Sequence, residues 1–327
     1  MTQRASFPPA LDRFPLATLP TPLVRAKRLE ARLGGPPLYV KRDDLTGFAA
    51  AGHKARPLEF LVGAAVAGGC DVLVTGGGPG SNFCAAAAAA AGAAGLRCEL
   101  VFYGDRSERN HPNLALALAC GAGVRYTGDP ERTPVDTAVT GLAAELRTAG
   151  HRPYAIPRGG ATAVGALGMM VAAGELAEQL AAASVDAGVV VIASGSGTTC
   201  AGLALGTDLY GGGWRVVGAS VSRPVDRAGA EITRLATEAA ALAGAKAPAM
   251  ESLDLVDARG PGFAIPSEAG ERAASLALGS EGLLLDPVYT AKAFAVVLEL
   301  VERGADRPIV FWHTGGLLSA AEHLAAG

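Results

Sequence analysis

Short apolar runs rich in valine, each closed by glycines and followed by an alanine- or leucine-rich stretch, recur along the chain. Asp71–Thr75 passes through Gly76–Ser81 into the alanine run Ala85–Ala91, and Val189–Ala193 passes through Ser194–Thr199 into Cys200–Leu205. Trp214–Val221 and Pro308–Trp312 read as two further strands, Pro57–Ala67 as a helix, and Arg223–Pro248 as a mostly helical stretch opened by Pro224. Uninterrupted apolar runs suit strands buried on both faces. Strand, glycine turn and helix in alternation predict an α/β protein with open, twisted parallel sheets flanked by helices. In such sheets ligands bind beyond the carboxyl ends of the strands, which is where these glycine turns fall. No repeat and no linker marks a domain boundary.

Composition narrows the class without changing this picture. Half of the 327 residues are hydrophobic and 18% are charged, as in a globular protein with a large core. A net charge of −3 with no basic run argues against nucleic acid or an anionic membrane as a partner. No stretch reaches the roughly 18 consecutive apolar residues of a membrane span. Met1–Phe14 has arginines but no apolar segment, so no secretory signal is expected, and the expected location is the cytoplasm. The five cysteines, Cys70, Cys84, Cys98, Cys120 and Cys200, are scattered and form no CxxC pair, which suits a reducing compartment. Neither HExxH nor any clustered Cys/His spacing appears, so no metal is expected.

Four segments are candidates for chemistry. The first is Gly52-His53-Lys54-Ala55-Arg56, which opens a helical stretch. A lysine near a helix N-terminus feels a dipole that disfavours its ammonium form, which keeps an amine available as a nucleophile; a solvated surface lysine is the plain alternative. Gly47 and Gly52 have P-loop spacing, but His53 intrudes and Ala55 replaces the required hydroxyl. The second is Thr75–Asn82, whose glycines let backbone N–H groups converge on an anion. Ser81 there either binds a substrate carboxylate or caps the helix, and Asn82 is a donor for a ring oxygen.

The third segment, Ser194–Thr199, follows a convincing buried strand and offers two glycines and several hydroxyls at a helix start, a phosphate cradle. A dinucleotide fingerprint would need Gly or Ala at Cys200 and an acidic residue about 20 positions on; the next strand ends Ser220-Val221-Ser222-Arg223 instead. Ser194 and Thr198 stand where a serine-hydrolase elbow around Ser196 needs glycines. The fourth comprises Leu284–Thr290 and Trp312–Gly316. Tyr289 is an acid or base only if its surroundings activate it, and otherwise a core tyrosine. Thr290 and Thr314 either meet a pyridine nitrogen or cap turns, and His313 reads as structural.

Taken in order, these segments resemble fold-type II pyridoxal 5′-phosphate (PLP) enzymes of the 1-aminocyclopropane-1-carboxylate (ACC) deaminase and D-cysteine desulfhydrase family. The likeness runs from Leu19-Pro20-Thr21-Pro22-Leu23 through Lys41–Gly47, Gly52–Arg56, Ser81-Asn82, Pro157–Gly160 with Gly165–Gly168, Ser194–Thr199 and Leu285–Thr290 to His313–Gly316. It implies a two-domain, tryptophan synthase β-like fold, with residues 1–53 and 161–327 in the large PLP-binding domain and 54–160 in a smaller inserted one, usually as a homodimer. It also implies roles. Lys54 matches the Schiff-base lysine and Asn82 the partner of the pyridoxal hydroxyl. Gly195, Ser196, Gly197, Thr198 and Thr199 match the phosphate loop, with Thr290 and Thr314 near the pyridine nitrogen. Ser81 and Tyr289 match catalytic neighbours of the substrate, in a pocket expected to include His53, Phe83, Gly160 and Phe263.

The implied activity is elimination from a small amino acid after removal of its Cα proton, releasing ammonia and a 2-oxo acid. A β- or γ-replacement synthase is the alternative. The chain departs from the family in having His53 for asparagine, Gly80 and Phe83 around Ser81-Asn82, and Phe263 where a second tyrosine stands. Phe263 together with Thr290, where deaminases carry an acid and desulfhydrases a threonine, counts against ACC, and Gly80 and Phe83 weaken D-cysteine as substrate.

Overall fold

The computed structural model describes residues 12–106 and 111–326; the stretch Met1–Leu11, most of the segment read above for a signal, lies outside them. The chain begins with β1 (Leu23–Arg25), α1 (Lys27–Leu33), β2 (Leu38–Arg42) and α2 (Ala55–Ala67). It continues through β3 (Val72–Gly77), α3 (Asn82–Ala93), β4 (Arg97–Phe102), α4 (Pro112–Ala119), β5 (Gly123–Tyr126), α5 (Pro134–Thr148) and β6 (Pro153–Ala155). Then come α6 (Ala163–Ala182), β7 (Val189–Ser194), α7 (Thr198–Tyr210), β8 (Arg215–Ser220), α8 (Val225–Leu242) and β9 (Leu253–Asp257). The last elements are α9 (Glu268–Glu281), α10 (Thr290–Glu302), β10 (Ile309–His313) and α11 (Leu317–Ala326).

The strands form two sheets, a six-stranded one in the order β1-β2-β10-β7-β8-β9 and a four-stranded one in the order β5-β4-β3-β6. Every pairing is parallel except β1 with β2. The protein is thus a two-domain α/β fold with parallel sheets flanked by helices, the tryptophan synthase β-like arrangement expected. Alternation along each strand supplies both faces with apolar side chains. Val190, Ile192, Val310 and Trp312 join α6, α7 and α8 on one face of the large sheet. Val191, Ala193, Ile309 and Phe311 join α9 and α10 on the other. In the smaller sheet Leu73, Leu100 and Phe102 meet α3, while Val72, Val74 and Val101 meet α5.

Glycines bring three helices into close contact at the foot of the site. A Cβ added at Gly202 in α7 would stand 2.1 Å from the Ala166 carbonyl oxygen of α6, and one at Gly168 in α6 would stand 2.4 Å from the Arg56 carbonyl oxygen of α2. Alanine is the better helix former by about 1 kcal/mol. Here the new methyl would meet backbone that cannot rotate away, and overpacking of that kind costs about 1–3 kcal/mol. Gly202→Ala should therefore lower the urea midpoint despite the gain in propensity. A variant at least as stable as the parent would show that α6 and α7 separate freely.

The elements differ from the expected ones at their ends. α2 starts at Ala55, ahead of Pro57, because proline is tolerated in a helix's first turn. α8 stops at Leu242, short of Pro248, where Gly244 takes φ +63°.

Beneath the start of α2 lies a buried polar network. Arg56 is 1% exposed and Asp43 0%. Arg56 binds Asp43 through Nε (2.8 Å) and Nη2 (2.8 Å), and binds Glu175 of α6 through Nη1 (3.0 Å) and Nη2 (2.9 Å). Lys41 of β2 donates to the Thr21 carbonyl (2.8 Å), to Gln179 (2.6 Å) and to Glu175. Burial by itself would raise the Asp43 pKa, but the Arg56 charge and hydrogen bonds outweigh it and hold the carboxyl below its usual range. The network ties β2, α2 and α6 together two residues from Lys54.

Candidate active site

A cavity of about 680 Å³ opens at the carboxyl ends of β3, β7 and β10, between the two sheets, and Lys54 is among its lining residues. Lys54 ends a tight 3₁₀ turn, Gly52–Lys54, that leads directly into α2. The turn is held against the end of β10: Gly52 has φ +56°, and a Cβ there would stand 2.2 Å from the Thr314 carbonyl oxygen. That carbonyl accepts from the His53 backbone N–H at 3.0 Å and lies 2.9 Å from His53 Nδ1. Desolvation lowers the Lys54 pKa to about 8, and its Nζ lies 5.9 Å from the centre of the Phe83 ring. The result is an amine that gives up its proton more readily than an ordinary lysine, facing a cavity.

His53 joins this turn to the start of α7. Burial, followed by the charge of Lys54, lowers its pKa to about 3, so the ring is neutral. Nδ1 faces a carbonyl and must carry the proton there; Nε2, 3.3 Å from Thr199 Oγ1, is then an acceptor for the threonine hydroxyl. The sequence marked His53 as a substitution and as a pocket residue; in the structure it lines the cavity and also ties the turn to α7.

The glycine loop after β7 presents Gly195, Ser196 and Thr199 to the cavity. α7 begins at Thr198 with Gly197 at φ +99° and no side-chain cap, so its first N–H groups have no side-chain partner. Gly197 itself packs against α8, and Thr198 is buried, its hydroxyl donating to the Gly160 carbonyl at 3.3 Å. On the opposite wall Ser81 caps α3, accepting from the Cys84 N–H at 3.2 Å, and it also lines the cavity. Asn82 Oδ1 accepts from Asn113 at 2.8 Å. That leaves its N–H donors without a partner among the described residues.

Tyr289 also lines the cavity and sits over the loop, with a Cβ at Gly195 falling 3.2 Å from its ring. Burial, then the nearby Asp286, raises its pKa, so the phenol stays protonated. Thr290 is 1% exposed and does not reach the cavity. Its hydroxyl donates to Asp286 Oδ1 at 2.7 Å, and its N–H donates to the same oxygen at 2.9 Å. Asp286 Oδ2 accepts from the N–H groups of Val288 (3.1 Å) and Tyr289 (2.9 Å), yet burial still raises this carboxyl's pKa.

The structure therefore brings Lys54, His53, Ser81, Asn82, Phe83, Gly195, Ser196, Thr199, Phe263, Tyr289 and Thr314 to one cavity. It sets Gly160, Gly197, Thr198 and Thr290 behind the wall. Gly160, at φ +75°, backs the Phe83 ring, 2.7 Å from an added Cβ. Phe263 meets Tyr289 edge-on, with centroids 6.3 Å apart. Its loop is fastened by Lys292 of α10, which donates to the carbonyls of Arg259 (2.6 Å) and Gly262 (2.9 Å). His313 is buried and does not line the cavity.

Residues not singled out beforehand also line it: Asp286, Arg132, Arg158, Arg223, and His111 with Glu322, which approach to 2.9 Å and link the start of α4 to α11. The Asp-Pro step before α10 was a visible signal for Asp286. Arg132, in a charged loop, had none.

The chain matches the family described as "Pyridoxal-phosphate dependent enzyme" over residues 15–315. It is 38% identical over 317 residues to D-cysteine desulfhydrases of Salmonella paratyphi C (strain RKS4594) and Salmonella choleraesuis (strain SC-B67), covering 94% of this chain and 95% of each of those. Its structure is similar to the crystal structure of an "ACC deaminase homologue", with TM-score 0.88 and 32% identity over 97% of this chain and 96% of that one.

Proposed function

Because the chain belongs to the pyridoxal-phosphate dependent enzyme family, we propose that it eliminates a group from a small amino acid after removing the Cα proton, releasing ammonia and a 2-oxo acid. The observation that carries this reading is that the Lys54 amine and the uncapped start of α7 share one cavity.

The donors fit the cofactor: a lysine whose pKa burial has lowered for its aldehyde, glycine-loop N–H groups for its phosphate, and the Asn82 amide for its ring oxygen. Of the two threonines, Thr314 faces the cavity and is assigned to the pyridine nitrogen, with Thr290 acting through Asp286. A neutral hydroxyl there moderates the pull on electrons and favours loss of a β-substituent. When bound, the cofactor supplies an electron sink that acidifies the substrate Cα–H and lets a group at Cβ leave. Lys54 takes the Cα proton, since burial lowers its pKa and leaves more of the amine free to act as a base. Ser81, whose proton is not used in capping, donates to the substrate carboxylate. Tyr289, held protonated, donates toward the leaving group. Phe83 and Phe263 keep water from the reacting atoms.

The domain division that accompanies this reading places residues 54–160 in the smaller domain, supported by a second sheet drawn wholly from Val72–Ala155. A cytoplasmic homodimer belongs to it too, in keeping with five unpaired cysteines.

The test is a screen of D- and L-amino acids for 2-oxo acid and ammonia with no second substrate present. Turnover that requires an added nucleophile would instead place the protein among the replacement synthases. Reductive methylation of cofactor-free protein checks the amine. Burial penalises the ammonium, so labelling at Lys54 should rise with pH through a midpoint near 8 and level off above it. An exposed lysine would keep rising toward about 10.4.

A further inference from the structure

Three arginines line one side of the cavity: Arg132 just before α5, Arg158 after β6 and Arg223 after β8. Two of them are engaged. Arg158 binds Asp136 through Nε at 2.9 Å and Nη2 at 2.8 Å, and Arg223 Nη1 lies 3.4 Å from the Ser196 carbonyl oxygen. Arg132 is different. Its guanidinium carbon lies 3.8 Å from the centre of the Phe263 ring, the ring that meets Tyr289 edge-on. Among the described residues it forms no ion pair and no hydrogen bond with another side chain. A half-buried guanidinium stacked on an aromatic face has both its direction and its five donors fixed in advance. Burial, the largest influence, together with the charges of Arg158 and Arg223, weakens its hold on its proton. A positive charge kept in such surroundings without a counterion is a site prepared for an anion.

Resting on the elimination reading, we propose that the substrate carries a second anionic group at the end of its side chain, an oxyanion such as a carboxylate, sulfonate or phosphate ester, and that Arg132 receives it. The group would enter over Phe263, beyond Tyr289, with Arg158 and Arg223 adding to the positive field. This accounts for Phe263 where the family has tyrosine, since a phenyl face offers the guanidinium a stacking platform and no competing hydroxyl. It also gives a use to Arg132, which the elimination step leaves without one.

Calorimetric titration of the PLP-loaded protein with D- and L-aspartate against the near-isosteric asparagines, and with O-phosphoserine against serine, tests the idea. The charged member of each pair should bind about tenfold tighter or more, the gain usual for a charge-assisted hydrogen bond. Arg132→Gln should abolish that preference, and Arg132→Lys should keep part of it. Equal binding of charged and neutral partners by the parent protein would overturn the proposal. So would a preference that survives in Arg132→Gln while the variant's affinity for PLP falls, because Arg132 would then serve the cofactor's phosphate. Protein that never takes up PLP would defeat the elimination reading alone, since the same titrations on that protein still show whether Arg132 selects an anion.

Discussion

A Lys54→Ala variant should be colourless after incubation with PLP, should yield no borohydride-stable adduct, and should lose activity by about 10³-fold or more, the scale of losing a nucleophile and a proton carrier at once. It should nevertheless fold. The parent lysine has a pKa lowered to about 8 by desolvation, so its ammonium is unwelcome in the folded, cofactor-free protein. That penalty is complete below about pH 8, where folded and unfolded chains both hold the proton. It fades as the pH rises from 8 toward the ordinary lysine range, where neither does. Cofactor-free Lys54→Ala should therefore be more stable than the cofactor-free parent at pH 7, and the advantage should shrink by pH 10. Full activity in the variant, or yellow protein trapped by borohydride, would remove Lys54 from the centre of the mechanism.

The second large effect concerns Arg56. Methionine there keeps much of the volume but leaves Asp43 buried without its ion-pair partner, with only the more distant charge of Lys41, while Glu175 keeps Lys41 and the Thr21 N–H. Breaking one partner out of a buried pair costs about 3–5 kcal/mol, and urea unfolding of Arg56→Met should show a loss of that order. Arg56→Met combined with Asp43→Asn should recover part of it, because the stranded charge is removed; the shortfall from additivity measures their coupling. A loss below about 1 kcal/mol would mean that water reaches Asp43 once the arginine is gone. The variant should also take up PLP more weakly, since the network holds the start of α2 and with it the turn that presents Lys54.

Much of this was legible because glycine punctuates the chain so plainly. The runs Asp71–Thr75, Val189–Ala193 and Pro308–Trp312 are β3, β7 and β10 to within a residue or two, and the loops after them converge on the cavity, as carboxyl ends of parallel strands must. Which hydroxyls face inward was not legible. Thr290 and Thr314 look alike as residues after apolar runs. Only the structure shows that Thr290 spends its hydroxyl on a carboxylate four positions before it, while Thr314 stands at the open end of a strand. Loop chemistry was less legible still. Arg132 matters through a ring more than a hundred residues away, and no periodicity or spacing encodes that contact. His53 was visible as a substitution, but its tie to Thr199 depends on a long-range approach of the same kind.

The position of β10 has a consequence for how the molecule is made. β10 is the strand that joins β2 to β7, so until it pairs, the first two strands have no connection to the rest of the large sheet. It is also the last strand in the chain. During synthesis the smaller sheet, whose strands all lie between Val72 and Ala155, has every partner it needs long before the large one does. β2 must wait for a neighbour encoded far along the chain, a long-range closure of the kind that slows folding and leaves a strand edge open to aggregation. Chains cut short ahead of Ile309 should accumulate as insoluble protein, with the smaller sheet folded and the large sheet incomplete.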